Sequence, residues 1–145
     1  MNVAIIPARA GSKRIPGKNI KTFRGQPMIS WSIKTAIDAD CFDEVIVSTD
    51  SDQIAEIAQC YGATVPFLRP AELADDFVPL RPVMQHAIEV LEKTSMDIDY
   101  VCCLAATAPL LSKGQLRLGY KIAKEMNLGF LVSVGKFSST TQRAL

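Results

Sequence analysis

The stretch Pro7-Ala8-Arg9-Ala10-Gly11-Ser12-Lys13-Arg14-Ile15-Pro16-Gly17-Lys18-Asn19 gathers four cations, Arg9, Lys13, Arg14 and Lys18, among small and turn-forming residues. Guanidinium and ammonium groups make charge-assisted hydrogen bonds to phosphate oxygens, and glycine lets backbone N–H groups approach an anion closely. A nucleoside polyphosphate fits this chemistry, with Ala8, Ala10, Gly11 and Ser12 lining the path of its phosphates and Asn19 available to a ribose hydroxyl. The GxxxxGK[ST] and GxGxxG spacings are both missing, which argues against a P-loop NTPase and a dinucleotide binder. A solvated basic surface loop, with Gly and Pro serving only as turn residues, accounts for the same composition.

Other polar residues invite chemistry less strongly. Arg69, before Pro70, suits either a ligand contact or a loop brace, and Asp50 is read as a helix cap. His86, the sole histidine, sits at helical spacing between Val83 and Val90 and is read as a packed or hydrogen-bonded side chain. Asp75-Asp76 and Asp97 with Asp99 look like paired carboxylates, but loop solvation and helix-end placement explain them. Cys41, Cys60, Cys102 and Cys103 lack metal-ligand spacing and are expected to be buried, reduced thiols.

The loop has to be held by a scaffold, and the pattern supplies one. Short β-branched runs alternate with helical periods, as in a parallel sheet wrapped by helices. Strands are expected at residues 2–6, 44–48, 64–67, 99–104 and 130–134. In an open sheet of this kind ligands bind beyond the carboxyl ends of the strands, where the basic loop would lie. Ile29, Ile33, Ala36 and Ile37 share one face of a first helix. A second carries Ile54, Ile57, Ala58 and Tyr61, with Asp50 or Ser51 as cap and Gly62 as left-handed terminator. A third begins near Pro82 and turns Val83, Ala87, Val90 and Leu91 inward. Ser112 and Gln115 form a capping-box pattern for a fourth, with Leu116, Tyr120 and Ala123 on its stripe.

With 145 residues, 48% of them hydrophobic, the chain can bury one core and reads as a single domain, residues 1–145. A formal net charge of +1 gives no overall pull toward nucleic acid or membrane. No apolar run has signal-peptide or membrane-spanning character, so a cytoplasmic location is expected. The sequence ends at Leu145 after a predicted strand and loop, which reads as an interrupted domain.

Ile6-Pro7-Ala8-Arg9-x-Gly-Ser12-Lys13 with Lys18-Asn19 closely resembles the signature of the acylneuraminate cytidylyltransferases, the enzymes that make CMP-sialic acids. The likeness continues through Ile46-Val47-Ser48-Thr49-Asp50, Leu68-Arg69-Pro70-Ala71-Glu72-Leu73 and His86-Ala87-Ile88. Ile15-Pro16, Pro27-Met28-Ile29-x-Trp31-Ser32-Ile33, Ala106-Thr107-Ala108-Pro109 and Gln142-Arg143-Ala144-Leu145 look most like the pseudaminic acid branch. The resemblance implies a three-layer α/β/α Rossmann-like nucleotidyltransferase fold with a mostly parallel sheet, truncated at the C-terminus. It implies transfer of CMP from CTP to the anomeric hydroxyl of a nine-carbon keto-acid sugar, with release of pyrophosphate. Arg9 and Lys18 match the catalytic triphosphate contacts, Ser12 and Lys13 the phosphate loop, Asn19 a ribose contact and Arg69 the cytosine contact. Thr107, Gln142 and Arg143 match sugar-side positions, an arginine there suiting the sugar carboxylate. Mg2+ is implied as cofactor, on acidic ligands beyond residue 145, and a homodimer for a full-length protein.

One segment and one further residue depart from the pattern. Phe77-Val78-Pro79-Leu80 stands where relatives offer hydroxyls to the nucleotide, and Ala105 where they carry a larger side chain toward the sugar. N-acetylneuraminic or legionaminic acid, or a shorter keto-acid sugar, remain alternative acceptors. A catalytically inactive nucleotide-binding fragment is the alternative of another class.

Overall fold

The computed structural model describes residues 1–94 and 96–135. Five strands and four α-helices are formed among them. They run in the order β1 (Asn2–Pro7), β2 (Thr22–Phe23), β3 (Gln26–Pro27), α1 (Met28–Asp38), β4 (Glu44–Ser48), α2 (Asp52–Cys60), α3 (Leu80–Lys93), β5 (Tyr100–Cys103) and α4 (Lys113–Glu125), with a short 3-10 turn at Ala71–Leu73 before α3. The main sheet has the order β4-β1-β5, and β1 pairs in parallel with both neighbours. Parallel neighbours need long crossovers, which the helices provide.

A central strand covered on both faces reads as a continuous apolar run, and β1 does so: Val3, Ala4, Ile5 and Ile6 are all fully buried. Alternation sends them to two cores. Ala4 and Ile6 join Ile29, Ile33 and Ala36 of α1, Ile54 and Ala58 of α2, and Leu116 of α4 on one face. Val3 and Ile5 meet Ala87 and Leu91 of α3 on the other. The result is three layers, helices over and under one sheet, as expected. Each fully buried isoleucine contributes about 1.5–3 kcal/mol through removal of apolar surface from water.

Local signals place the helices. Ser51 caps α2, its hydroxyl accepting from the Ile54 N–H, and Ser112 with Gln115 completes a reciprocal capping box on α4. After α2, Gly62 adopts φ +92°, where a Cβ would stand 3.1 Å from Ile37 Cδ1, so glycine satisfies both the left-handed turn and the tight approach of α1. Pro82 lies in the first turn of α3, whose N–H groups need no helical partner.

Four expectations need correction. Residues 64–67 form no strand but only isolated bridges, Ile46 to Thr64 and Thr49 to Leu68, because Pro66 has no N–H to donate to a ladder. Residues 130–134 do not form a strand and are exposed, Phe130 at 83% and Val134 at 90%; β-branched composition needs a paired neighbour, and no described strand supplies one. Ile37 is 44% exposed, so the buried stripe of α1 is narrower than its periodicity suggested. The cysteines are free, as expected, but Cys60 and Cys103 are exposed and Cys41 and Cys102 half-buried. Cys102 shows the cost of partial burial: desolvation, with smaller contributions from Cys103 and Cys41, pushes its thiol up to about 11.

The two isoleucines of α1 provide a direct check. Ile33→Ala should destabilise the protein by about 2–5 kcal/mol in urea unfolding, while Ile37→Ala should cost about 1 kcal/mol or less.

Candidate active site

The loop that follows β1 is fastened at several points to the carboxyl edge of the sheet. Its entry is fixed by the ladder bond from Ala8 N–H to Ser48 C=O, 2.9 Å. Ala10 N–H then donates to Asp50 Oδ1 at 2.8 Å, across from the end of β4. Asp50 is thus a loop anchor and not the α2 cap, a role taken by Ser51. Further along, Gly17 at φ +61° allows the turn in which Ile20 and Lys21 N–H both reach its carbonyl. The loop closes on α1, where Met28 N–H meets Lys21 C=O and Ile29 N–H meets Asn19 C=O at 2.9 and 2.8 Å. Two otherwise unpaired N-terminal N–H groups of α1 are satisfied in this way, which is why a helix with Pro27 at its N-cap needs no side-chain cap.

Asn19, expected to face a ribose, is buried and donates from Nδ2 to Arg9 C=O at 2.9 Å. It ties the far end of the loop to its beginning and so sets the backbone of Arg9. Lys18 lies in the exposed turn, apart from the Arg9 cluster's ion pairs.

Arg9 and Lys13 converge on one carboxylate. Arg9 Nη2 pairs with Asp76 Oδ1, and Lys13 Nζ lies 2.5 Å from Asp76 Oδ2. Asp76 was expected to be a solvated loop residue; its side chain is 19% exposed, against 80% for Lys13. The turn that delivers it is built by its neighbour, for Asp75 Oδ1 accepts from Phe77 N–H at 2.8 Å and leaves Phe77 projecting into solvent. The hydrogen bond and charge of Asp76 raise the Lys13 ammonium above its ordinary value. In return, hydrogen bonds from Lys13 and then Arg9 hold the Asp76 carboxyl below the usual aspartate range.

Arg69 lies at the bottom of the same region, 6% exposed. Its backbone N–H donates to Thr49 C=O at 2.7 Å, its Nε to Ser48 Oγ at 3.2 Å and its Nη2 to Ser48 C=O. Burial pulls its guanidinium below the ordinary value; Asp50 opposes the shift and Arg9 adds to it. Arg9, Asp50 and Arg69 therefore belong to one electrostatic neighbourhood. Thr107 lies in the turn after β5, at the same carboxyl edge, where Ser32 Oγ holds Ala105 C=O at 2.8 Å. Gln142 and Arg143 lie outside the described residues.

The remaining candidates stay apart. His86 packs edge-on against Phe67 with ring centroids 5.2 Å apart, and its buried Nδ1 has no hydrogen-bond partner. Asp99 pairs with the N-terminal amine at 2.7 Å at the opposite end of β5 from the loop and, at 68% exposure, is the solvated carboxylate expected. Among the described residues, no three His, Cys, Asp or Glu side chains come together as metal ligands. Nor does any described helix have the length and apolarity to cross a membrane.

The sequence profile described as "Cytidylyltransferase" matches residues 3–142, nearly the whole chain. The chain belongs to the cytidylyltransferase family. It is 47% identical over 143 residues, 99% of its length, to the pseudaminic acid cytidylyltransferase of Campylobacter jejuni, and spans 62% of that relative. It is 43% identical over 125 residues to the CMP-N,N'-diacetyllegionaminic acid synthase of Legionella pneumophila, covering 84% of this chain and 53% of that one. The chain thus spans about three fifths or less of these curated relatives. Among solved structures, a CMP:2-keto-3-deoxy-manno-octonic acid synthetase complexed with CTP superposes with a TM-score of 0.71 at 24% identity, over 86% of this chain and 47% of that one. A cytidylyltransferase from Leptospira borgpetersenii gives 0.66 at 25% identity, over 83% and 48%. The three-layer scaffold is therefore the cytidylyltransferase fold.

Two outcomes follow for this member of the family. Because Arg69 holds up the end of β4, Arg69→Ala should cost about 1–3 kcal/mol in urea unfolding, through the buried Ser48 groups it strands. Asp76 supplies a pH signature. Its folded value is depressed, so its stabilising effect is full above the unfolded value and is lost as pH falls through the folded one. Asp76→Asn should therefore unfold more easily than the wild type at about pH 7, and the two should converge by about pH 2.

Proposed function

We propose that this chain binds CTP at the carboxyl edge of its sheet and forms the nucleotide-binding part of an enzyme that transfers CMP to a nine-carbon sialic-acid-like sugar, pseudaminic acid being preferred. The observation that carries this reading is the convergence of Arg9, Lys13 and the buried Arg69 around the loop after β1. An open parallel sheet offers its ligand site at that edge. The relatives at 47% and 43% identity favour a sialic-acid-like acceptor, and the former names pseudaminic acid.

In this reading Arg9 and Lys18 contact the triphosphate and act catalytically, while Ala8, Ala10, Gly11, Ser12 and Lys13 line its path. The anomeric hydroxyl oxygen attacks the α-phosphorus, the bond from that phosphorus to the α,β-bridging oxygen breaks, and pyrophosphate leaves with the electron pair as the hydroxyl proton passes to water. Positive charge held in place lowers the barrier because negative charge moves onto the departing pyrophosphate. Arg69 reads the cytosine carbonyl, its rigid fork fixed by Ser48. Asn19 serves the ribose through the loop backbone it ties down, in addition to any direct contact. Thr107, with Gln142 and Arg143, serves the sugar, the arginine suiting its carboxylate. Mg2+, expected on acidic residues beyond residue 145, would offset the charge of the triphosphate, and among the described residues no cluster forms for it. A cytoplasmic homodimer completes the proposal.

Calorimetric titration with CTP, UTP, ATP and GTP tests the nucleotide half directly. CTP should bind in preference to the others, and Arg9→Ala should weaken it about tenfold or more while leaving the fold intact. Equal binding of all four nucleotides would remove the cytosine assignment. No binding to folded protein would remove the site.

A further inference from the structure

The two cations that converge beside the phosphate path are already satisfied by a carboxylate of the protein itself. Asp76 offers one oxygen to Arg9 and the other to Lys13, and both contacts are at ion-pair distance. The three side chains differ in exposure, from 19% for Asp76 to 33% for Arg9 and 80% for Lys13, so the carboxylate sits inside the cations and not outside them. A polyphosphate arriving with Asp76 in place would meet cations whose charge is offset and a negative group within contact distance. Like charges so close are strongly repulsive when partly desolvated. Asp76 also stands on a segment suited to movement. It follows the 3-10 turn at Ala71–Leu73, and its own turn is closed locally by Asp75, while Phe77 is 89% exposed and anchors nothing.

We infer that Asp76 is a built-in counter-anion, a latch that occupies Arg9 and Lys13 in the nucleotide-free protein and is displaced when polyphosphate binds. This rests on the site proposed above and adds a regulation to it. The closed pair lowers apparent affinity by the fraction of molecules in which the cations are free, a cost that removal of the carboxylate abolishes. The latch also keeps two neighbouring cations from repelling each other in the empty site, so the same residue stabilises the fold and opposes the ligand. A brace that positions Arg9 for the phosphate would do the reverse, improving affinity in its presence.

The test is calorimetric titration of the wild type, Asp76→Asn and Asp76→Ala with pyrophosphate and with CTP, with Glu56→Gln on the exposed face of α2 as the control for net charge. The latch predicts that both Asp76 variants bind pyrophosphate and CTP more tightly, by roughly fivefold, as expected for the loss of one or two exposed ion pairs, and that Glu56→Gln does not. Unchanged or weakened binding in the Asp76 variants overturns the latch while leaving the nucleotide site standing. Tighter pyrophosphate binding with no binding of CTP keeps the latch and removes the nucleotide assignment. Absence of pyrophosphate binding in all the proteins overturns the latch. Hydrogen exchange of the wild type gives a check that needs no variant: amides of residues 74–78 should exchange faster when pyrophosphate is added, and slower exchange would contradict displacement.

Discussion

Arg9, Lys13, Arg14 and Lys18 crowd one short loop, and their mutual repulsion has to be offset before that loop can hold a shape. The offset comes from carboxylates on two other segments. Asp50, just past β4, takes the backbone at Ala10, and Asp76, before α3, takes the side chains of Arg9 and Lys13. Remove these and the loop has backbone ties at its two ends but nothing to hold its cations together. Exposed ion pairs contribute little singly, so the shape depends on their acting with the buried Asn19 bond and the bonds to α1.

The sheet makes this arrangement possible at low cost. A strand paired on both sides cannot slide without breaking two ladders, so the end of β1 is a fixed point from which the loop is measured. β4 ends beside it and supplies Ser48 to Arg69, Thr49 to the Arg69 backbone and Asp50 to the loop. Adjacent residues of one strand end thus serve the candidate base contact and the candidate phosphate contact together. Residues near chemistry in this protein are largely engaged in holding one another, and the distinction between structural and functional residues is blurred at Arg69 and Asn19 for that reason.

What could be read in advance follows a physical division. β1, β4, α2 and the α4 capping box were legible because each is specified by residues adjacent in sequence. The basic loop was legible because its cations are consecutive or nearly so. Asp76 was not, because nothing within its own segment distinguishes a solvated aspartate from one that meets a guanidinium more than sixty positions away. Asp50 and Ser51 stand side by side as cap candidates, and only the tertiary fold says that Ser51 caps α2 while Asp50 faces Ala10. The stretches at 64–67 and 130–134 had strand composition without a complete ladder: Pro66 interrupts one, and no described neighbour pairs with the other.

The measurement that bears most directly on the central claim is amide NMR of the isotopically labelled chain during a CTP titration. The account predicts that saturable shifts concentrate in the amides of residues 8–15 and 17–19, at Ser48 to Asp50, around Arg69 and across residues 75–78, while α4 and the amino-terminal ends of the strands stay unmoved. Shifts centred elsewhere, such as the cleft between Cys41, Asp43 and Arg117 at the opposite end of the sheet, would contradict it.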